Sequence, residues 1–296
     1  MGETQMDFVK DWQSEILKDI KKEGIQVSND IRTDSLIIKY FTYLRKKGTG
    51  QPYHIHKSKE FKCSPDLKYG LNQIIDILEN GGDISPYLSK QVDELENDGM
   101  FNDWGVLHLH LGKEMESNNK YVERTGSLLF VYFKENNAYL INIYKHGDWT
   151  KKEVLQTMYN NWPELIEPFI MKEVQGLSFP LTEKDHQKLR NSGGFTLIEL
   201  KDDKENNIVI VPPGWGIATS GDSIIDVRNY DYEVNKIYGL EKLVRENIVS
   251  IKELIKLYNI DIPETFTFKL LKKKDQWVIK EVNTKLVFEF EYSTKD

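Results

Sequence analysis

The hydrophobic pattern changes its period near the middle of the chain, and this change limits the possible folds more than any other feature. In the N-terminal part apolar residues recur at helical spacing, which predicts helices over residues 7–23 and from Asp66 to Asn80. Further along, Val106 to Leu111 alternates in polarity, and the β-forming runs Ser127–Phe133 and Ala138–Tyr144 follow. A strand followed by a hairpin predicts a central antiparallel sheet, so the sequence indicates an α+β fold with a helical N-terminal region.

Two local signals predict helices beside this sheet. Ser85-Pro86 supplies an N-cap and a proline at the first helical position, which predicts a third helix carrying Leu88, Val92 and Leu95. The segment Thr150-Lys151-Lys152-Glu153 fits the capping-box pattern and predicts a helix directly after the hairpin.

The chain is long enough for two domains. Its 296 residues exceed the usual length of a single domain. Around Val174 to Pro180 the pattern becomes less periodic, and we predict a domain boundary there. Residues 1–175 would then contain the helical region and the central sheet, and residues 176–296 would form an α+β accessory domain.

The accessory domain is predicted to end in an antiparallel meander. Thr182 can cap a short helix, and the runs Phe195–Leu200 and Ile208–Val211 predict a hairpin. A long helix is predicted from Leu240 to Tyr258. Three β-rich runs follow, namely Phe266–Leu271, Trp277–Val282 and Leu286–Tyr292.

Charge and cysteine content limit the function classes. A net charge of −7 and a pI near 5.5 argue against coating nucleic acid with a broad basic surface, although a small local basic site stays compatible. The single cysteine, Cys63, has no intramolecular disulfide partner and fits a reducing compartment. No apolar run approaches the roughly 20 residues that span a bilayer, and residues 1–10 do not resemble a signal peptide. We therefore expect a cytoplasmic protein without a membrane partner.

Histidines on the central strand are the most site-like feature. Residues two apart on a strand project to the same side, so His108 and His110 are predicted to share one face, with the neighbouring leucines facing the core. His146 follows at the end of the hairpin, and Arg124 and Lys145 add cationic groups. The plainest alternative is an inert, hydrogen-bonded pair on a partly covered sheet.

Three uses of such a cluster stay open. In metal-free RNA cleavage, one imidazole removes the 2′-hydroxyl proton, another protonates the leaving 5′-oxygen, and a cation stabilises the transition state. In a metal-dependent hydrolase, His108, His110 and His146 hold one divalent transition metal, with Glu114 or Glu116 completing the shell. In the third use, the sheet face binds a protein or a nucleotide without catalysis.

The order of these features resembles a known family. Helices, the strand from Trp104 to Leu111, Arg124, the hairpin Leu128–Tyr144 and then His146 are similar to the core of the toxin ribonucleases of the RelE/HigB type, within the barnase-like group. The resemblance covers about residues 84–162 and is one of topology, without a diagnostic motif. The chain departs from the family in its length, its acidity and its second strand histidine.

The resemblance implies an endoribonuclease that needs no metal or other cofactor. Arg124, Lys145 and His146 would contact phosphate, while the two strand histidines are the candidates for proton transfer. Trp149 is a candidate for stacking on a base. The implied substrate is RNA, the implied role is a toxin-like or phage-defence effector, and the implied partner is an antitoxin or regulatory protein.

Other candidate residues carry weaker signals. His54 and His56 repeat the strand pattern, which a strand at the edge of a domain explains. His186 falls in a charged helix and is expected to face solvent. The glycine-rich segment Pro212–Gly221 lacks the lysine of a phosphate cradle and is predicted to be a hairpin or a lid.

Overall fold

A computed structural model describes residues 4–25, 27, 30–48, 50–117, 120–194, 196–273 and 276–289 of the protein. The chain divides into two units by its internal contacts. Met1–Ile37 and Arg228–Asp296 make up one, which we call the terminal unit, and Ile38–Val227 make up the other, which we call the central unit.

This division differs from the predicted boundary between residues 175 and 176, which falls inside the central unit. Backbone hydrogen bonds join the chain across that point. The N–H of Met171 donates to the carbonyl of Val209 at 2.8 Å, and the N–H of Val211 donates to the carbonyl of Phe169 at 3.0 Å. The segment after residue 176 is therefore tied to the segment before it.

The described residues contain eight α-helices and ten β-strands, which confirms the predicted α+β class. The helices are α1 (Phe8–Lys22), α2 (Thr33–Lys47), α3 (Lys68–Glu79), α4 (Gly99–Trp104), α5 (Lys152–Asn161), α6 (Glu183–Asn191), α7 (Ile224–Glu246) and α8 (Ile248–Leu257). The strands are β1 (Thr4–Gln5), β2 (His54–Lys57), β3 (Val106–His110), β4 (Ser127–Lys134), β5 (Asn137–Lys145), β6 (Ile198–Lys201), β7 (Asn207–Ile210), β8 (Phe266–Lys273), β9 (Gln276–Glu281) and β10 (Val287–Glu289). No helix in the described ranges is long and apolar enough to cross a membrane.

The predicted central sheet is confirmed, and it has four strands in the order β2-β5-β4-β3. Strands β3, β4 and β5 are antiparallel neighbours, as predicted, whereas β2 lies parallel to β5 at the edge, so the sheet as a whole is mixed. His108 pairs with Phe130, and the β4–β5 register shifts between Phe130 and Val131. Such a bulge increases the local twist of a sheet.

Alternate side chains of this sheet form the core of the central unit. Leu128 and Phe130 of β4 are fully buried against α4 and α5, and α5 contributes Val154, Leu155 and Met158. Burying an apolar side chain of this size stabilises a fold by about 1.5–3 kcal/mol. The core also takes in the β6–β7 hairpin, whose first predicted residue, Phe195, lies outside the described residues.

Two helix predictions differ from the structure in detail, although a helix does follow the hairpin as predicted. The segment after Ser85 forms two 3₁₀ helices, Ser85–Tyr87 and Lys90–Glu94, in place of one α-helix, because Leu88 is extended and Ser89 caps a new turn. Helix α5 begins after Lys151, which makes no side-chain cap hydrogen bond, so the predicted capping box at Thr150 is absent. Thr182 does cap α6, in a capping box with Asp185.

The terminal unit holds a second four-stranded sheet, in the order β1-β8-β9-β10. Strands β8 to β10 form the predicted antiparallel meander, while β1 pairs with β8 in parallel. The last predicted strand continued to Tyr292, and residues 290–292 lie outside the described residues.

The long helix predicted from Leu240 to Tyr258 is two helices, α7 and α8, separated at Asn247. The side-chain amide of Asn247 donates to the Leu243 carbonyl at 2.9 Å. The backbone N–H of Asn247 donates to the same carbonyl at 3.1 Å, so the side chain adds a second donor there.

Candidate active site

The strand histidines line a cavity of about 540 Å³ in the central unit. We call it the histidine cavity, because His108, His110 and His146 all line it, together with Trp149. A cavity of this volume lies within the usual range for small-molecule sites. The structure therefore brings together four of the six predicted site residues.

The alternation of β3 positions the first two histidines. His108 and His110 are two residues apart and both reach the cavity, while Leu109 between them is completely buried. His110 is itself only 6% exposed. The pair is accessible from the cavity rather than from bulk solvent.

Trp149 connects His108 with His146. Its ring centroid lies 4.6 Å from that of His108 and 5.0 Å from that of His146, and its other neighbour is Phe130 at 5.9 Å. His146 is exposed, whereas His108 is half-buried. Two imidazoles of different exposure thus contact one indole.

A carboxylate that the sequence reasoning missed lies beside His108. Asp98 Oδ2 is 3.6 Å from His108 Nδ1 and 3.7 Å from the Nζ of Lys46, and both residues line the cavity with it. Burial raises the pKa of Asp98, but Lys46, His108 and the Phe101 N–H together lower it by more, so its pKa lies below 3.8. Asp98 is therefore a carboxylate at neutral pH.

The two strand histidines are neutral at the same pH. Burial lowers the pKa of His108 below 6.5, with Lys46, His146 and Arg124 adding to the effect and Asp98 opposing it. Burial and then the Arg124 charge lower the pKa of His110 to about 3. His110 Nδ1 also accepts the Thr125 N–H at 3.3 Å, which anchors the ring. A neutral imidazole accepts a proton more readily than it donates one.

Arg190 is a second residue that the sequence reasoning missed. It lines the cavity from α6, donates from Nε to the Asp103 carboxylate, and donates from Nη1 to the Trp149 carbonyl at 2.5 Å. Its guanidinium lies 4.7 Å from the ring centroid of Trp104. Arg190 thereby fixes the backbone that carries Trp149.

The two predicted cations do not line the cavity. Arg124 donates from Nη1 to the Leu88 carbonyl at 2.8 Å and lies 5.2 Å over the Tyr121 ring. Lys145 is exposed at the end of β5, and its N–H donates to the carboxylate of Asp148 at 3.1 Å. The cations that line the cavity are Lys46 and Arg190, in place of Arg124 and Lys145.

Buried polar atoms without partners mark one wall of the cavity. Asn102 is 1% exposed, and neither atom of its side-chain amide has a hydrogen-bond partner. Nδ1 of His108 is buried and makes no hydrogen bond either. Such groups are rare in folded proteins because they cost free energy, and they are often found at functional sites.

The glycine-rich segment Pro212–Gly221 packs beside this wall. The N–H of Gly216 donates to the Asn102 carbonyl at 2.9 Å, and the N–H of Gly214 donates to the Asp103 carbonyl at 2.7 Å. A Cβ on Gly214 would lie 2.3 Å from the Asn102 carbonyl oxygen, so this close approach requires glycine. The loop satisfies carbonyl groups of α4 and contributes Ile217 to the cavity.

A metal site was the main alternative for the histidines. In the part of the chain that the structure describes, no three His, Cys, Asp or Glu side chains are grouped so that they could hold a metal ion. His108, His110 and His146 therefore do not form such a group, either with one another or with Glu114 and Glu116. The geometry thus gives no support to the three-histidine metal site.

The missed residues come from separate parts of the sequence. Lys46 is in α2, Asp98 precedes α4, and Arg190 is in α6. The Asp98-Gly99 step before the strand histidines was a readable N-cap signal, whereas nothing in the local pattern links Lys46 or Arg190 to them.

Comparisons with protein-family models, with curated proteins and with solved structures gave no significant match.

Proposed function

We propose that the protein is a metal-independent endoribonuclease that cleaves RNA in the histidine cavity. The observation that carries the proposal is that His108 and His146 contact the same Trp149 ring and line the same cavity. Cleavage needs two proton-transfer groups beside one phosphodiester, and imidazoles suit both transfers.

In this reaction the 2′-oxygen attacks the adjacent phosphorus, and the bond from phosphorus to the 5′-oxygen breaks. His108 takes the 2′-hydroxyl proton, because burial lowers its pKa and leaves the ring neutral. His146 gives a proton to the leaving oxygen, since it is the exposed imidazole of the three and can exchange its proton with solvent. The products carry a 2′,3′-cyclic phosphate and a 5′-hydroxyl.

The geometry supports a different assignment of roles from the one expected. His146, which was expected to contact phosphate, becomes the proton donor in place of His110. Lys46 and Arg190 take the phosphate-binding role given to Arg124 and Lys145, because they line the cavity. His110, with a pKa of about 3, carries no second ring proton to donate at neutral pH, and its Nδ1 accepts the Thr125 N–H instead.

The test compares RNA and DNA oligonucleotides of the same sequence, incubated with the purified protein and EDTA. RNA should be cut to cyclic-phosphate ends, and DNA should stay intact because it lacks the attacking hydroxyl. His108→Ala and His146→Ala should each lower the rate about 10²–10⁴-fold. His54→Ala is the matched control, since His54 is an exposed histidine on the edge strand β2. RNA that stays intact, or cleavage that depends on an added metal ion, would contradict the proposal.

A toxin-like or phage-defence role in the cytoplasm, with an antitoxin or regulatory partner, extends this proposal. Only the sequence resemblance supports it. Expression of the wild-type protein should then arrest bacterial growth while His146→Ala does not.

Nucleotide binding without cleavage is a second candidate. The unpartnered Asn102 amide favours it, because an amide pairs with a base edge that has a donor next to an acceptor. Calorimetry with the four nucleoside monophosphates tests this candidate. Binding by the wild-type protein that Asn102→Ala weakens, in a protein that leaves RNA intact, would favour it over cleavage.

A further inference from the structure

We infer that Asp98 is a positioning residue whose carboxylate holds the proton of His108 on Nδ1, so that Nε2 faces the cavity as the proton acceptor. The inference rests on the proposed function, in which His108 takes the 2′-hydroxyl proton. It adds to that function a residue that need not touch the substrate.

The two oxygens of Asp98 have different neighbours. Oδ1 accepts the Phe101 N–H at 3.0 Å, which caps α4 and fixes the carboxylate in place. Oδ2 is 3.6 Å from His108 Nδ1 and 3.7 Å from Lys46 Nζ. One oxygen is therefore anchored by the backbone, and the other lies between a histidine nitrogen and an ammonium group.

This arrangement decides which nitrogen of His108 carries the proton. A lone pair on Nδ1 would be repelled by the carboxylate, whereas an N–H there is attracted to it. Nδ1 is buried, so water does not offer an alternative partner. The neutral ring has one proton, which leaves the lone pair on Nε2. His108 lines the cavity, and Nε2 is the nitrogen that remains to face it.

The surrounding charges keep Asp98 ionised. Lys46 from α2 and Arg190 from α6 lower the pKa of Asp98, and His108 on β3 does the same. Asp103 is the nearby like charge, and it is paired with Arg190. Around His108, Lys46, His146 and Arg124 disfavour a second proton on the ring, and Asp98 favours it. The ring thus stays neutral with a fixed tautomer.

The substitution Asp98→Asn separates orientation from folding. Asparagine is as good an N-cap as aspartate, so its amide oxygen can keep the bond to Phe101. Its NH₂ group then faces His108, and Nδ1 must become an acceptor. The proton moves to Nε2, and the nitrogen that faces the cavity can no longer take a proton. A wrong tautomer with intact geometry is known to disable a catalytic histidine.

The experiment is a long-range ¹H–¹⁵N NMR spectrum of the histidine rings in the full chain. In the wild-type protein, His108 should show a protonated Nδ1 and an unprotonated Nε2 at neutral pH. Asp98→Asn should reverse the pattern and lower kcat for RNA at least ~10²-fold with little change in KM. Asp98→Glu, which restores the carboxylate, should return the proton to Nδ1 and recover part of kcat.

The matched control is Asp7→Asn, because Asp7 caps α1 through the Lys10 N–H at 3.0 Å in the terminal unit. It should change neither the His108 tautomer nor kcat. A wild-type His108 that carries its proton on Nε2 overturns the inference, whether or not RNA is cut and whether or not the variants fold. The expected tautomers in a protein that leaves RNA intact would reject the proposed function and support the role of Asp98 in orienting the ring.

Discussion

The histidines of the chain differ widely in burial. His54 is exposed, while His186, which was expected to face solvent, is 2% exposed. The prediction for His186 was wrong because it is the residue that α6 buries, with Nδ1 3.0 Å from the Thr196 hydroxyl. A helix made mostly of charged residues gave no periodic signal to show which side packs.

His186 should make folding sensitive to acid. Burial lowers its pKa from 6.5 to about 4. The unfolded chain then takes up a proton below pH 6.5 that the folded protein does not bind until about pH 4. The neutral ring makes its full contribution to stability above pH 6.5, and this contribution decreases as the pH falls towards 4. Between about pH 7 and about pH 5, the unfolding free energy of the wild-type protein should therefore fall by about 2 kcal/mol more than that of His186→Leu.

Urea unfolding at the two pH values measures this difference. His54→Leu serves as the control, because it makes the same substitution at a histidine that is exposed rather than buried. Equal pH dependence in the wild-type protein and in His186→Leu would contradict the prediction.

At the scale of elements, α3 packs closely on the end of the histidine strand. A Cβ on Gly70 of α3 would lie 2.2 Å from the carbonyl oxygen of Leu111, one residue after β3. Only a glycine permits this approach, and the contact fixes the helix against the strand that carries the candidate site.

Gly70→Ala should therefore destabilise the protein by about 1–3 kcal/mol, although alanine is the better helix former. Gly239→Ala is the matched control, because Gly239 lies in α7 and a Cβ there meets nothing within 4 Å. It should stabilise α7 by about 0.5–1 kcal/mol. Thermal unfolding of both variants checks the opposite signs, and a stabilised Gly70→Ala variant would show that the close approach is absent.

Local patterns predicted the elements that have a clear period. Helices α1 and α3, the strands β3 to β5 and the C-terminal meander agree with their apolar spacing. The apolar stretch Leu36–Leu44 has no clear period and is part of α2. The break between α7 and α8 is confined to Asn247, and a periodic pattern does not reveal it.

The candidate site was predictable only where the strands β3 and β5 build it. Alternation along β3 was enough to place His108 and His110 together, and the strand end was enough to add His146. Lys46 and Arg190 reach the cavity because α2 and α6 pack there, and the local spacing of residues does not predict such tertiary packing. Arg124 is close in sequence, yet it bonds to the Leu88 carbonyl instead.

At the scale of the whole molecule, each unit has buried residues of its own. Phe266 and Phe268 of β8 are buried and stacked at 6.0 Å in the terminal unit, and Phe130 is buried in the central unit. Since hydrophobic burial acts locally, we expect each unit to respond mainly to substitutions in its own core.

Phe266→Ala should cost about 3–5 kcal/mol and lower the hydrogen-exchange protection of β8 and β9. The amides of β4 and β5 should keep their protection. Phe130→Ala is the reciprocal variant and should give the opposite result. Equal loss of protection in both units from either variant would show that they unfold as one.

The pairing of β1 with β8 has a consequence for synthesis on the ribosome. Thr4 and Gln5 lie beside Phe266 and Thr267, so the partner of β1 is synthesised about 260 residues after it. The central unit is one continuous segment and can fold meanwhile. At ~5–20 residues per second, the nascent α1 waits on the order of tens of seconds with Phe8, Trp12 and Ile20 uncovered. During that interval chaperones that hold nascent chains can bind the uncovered apolar side chains of α1.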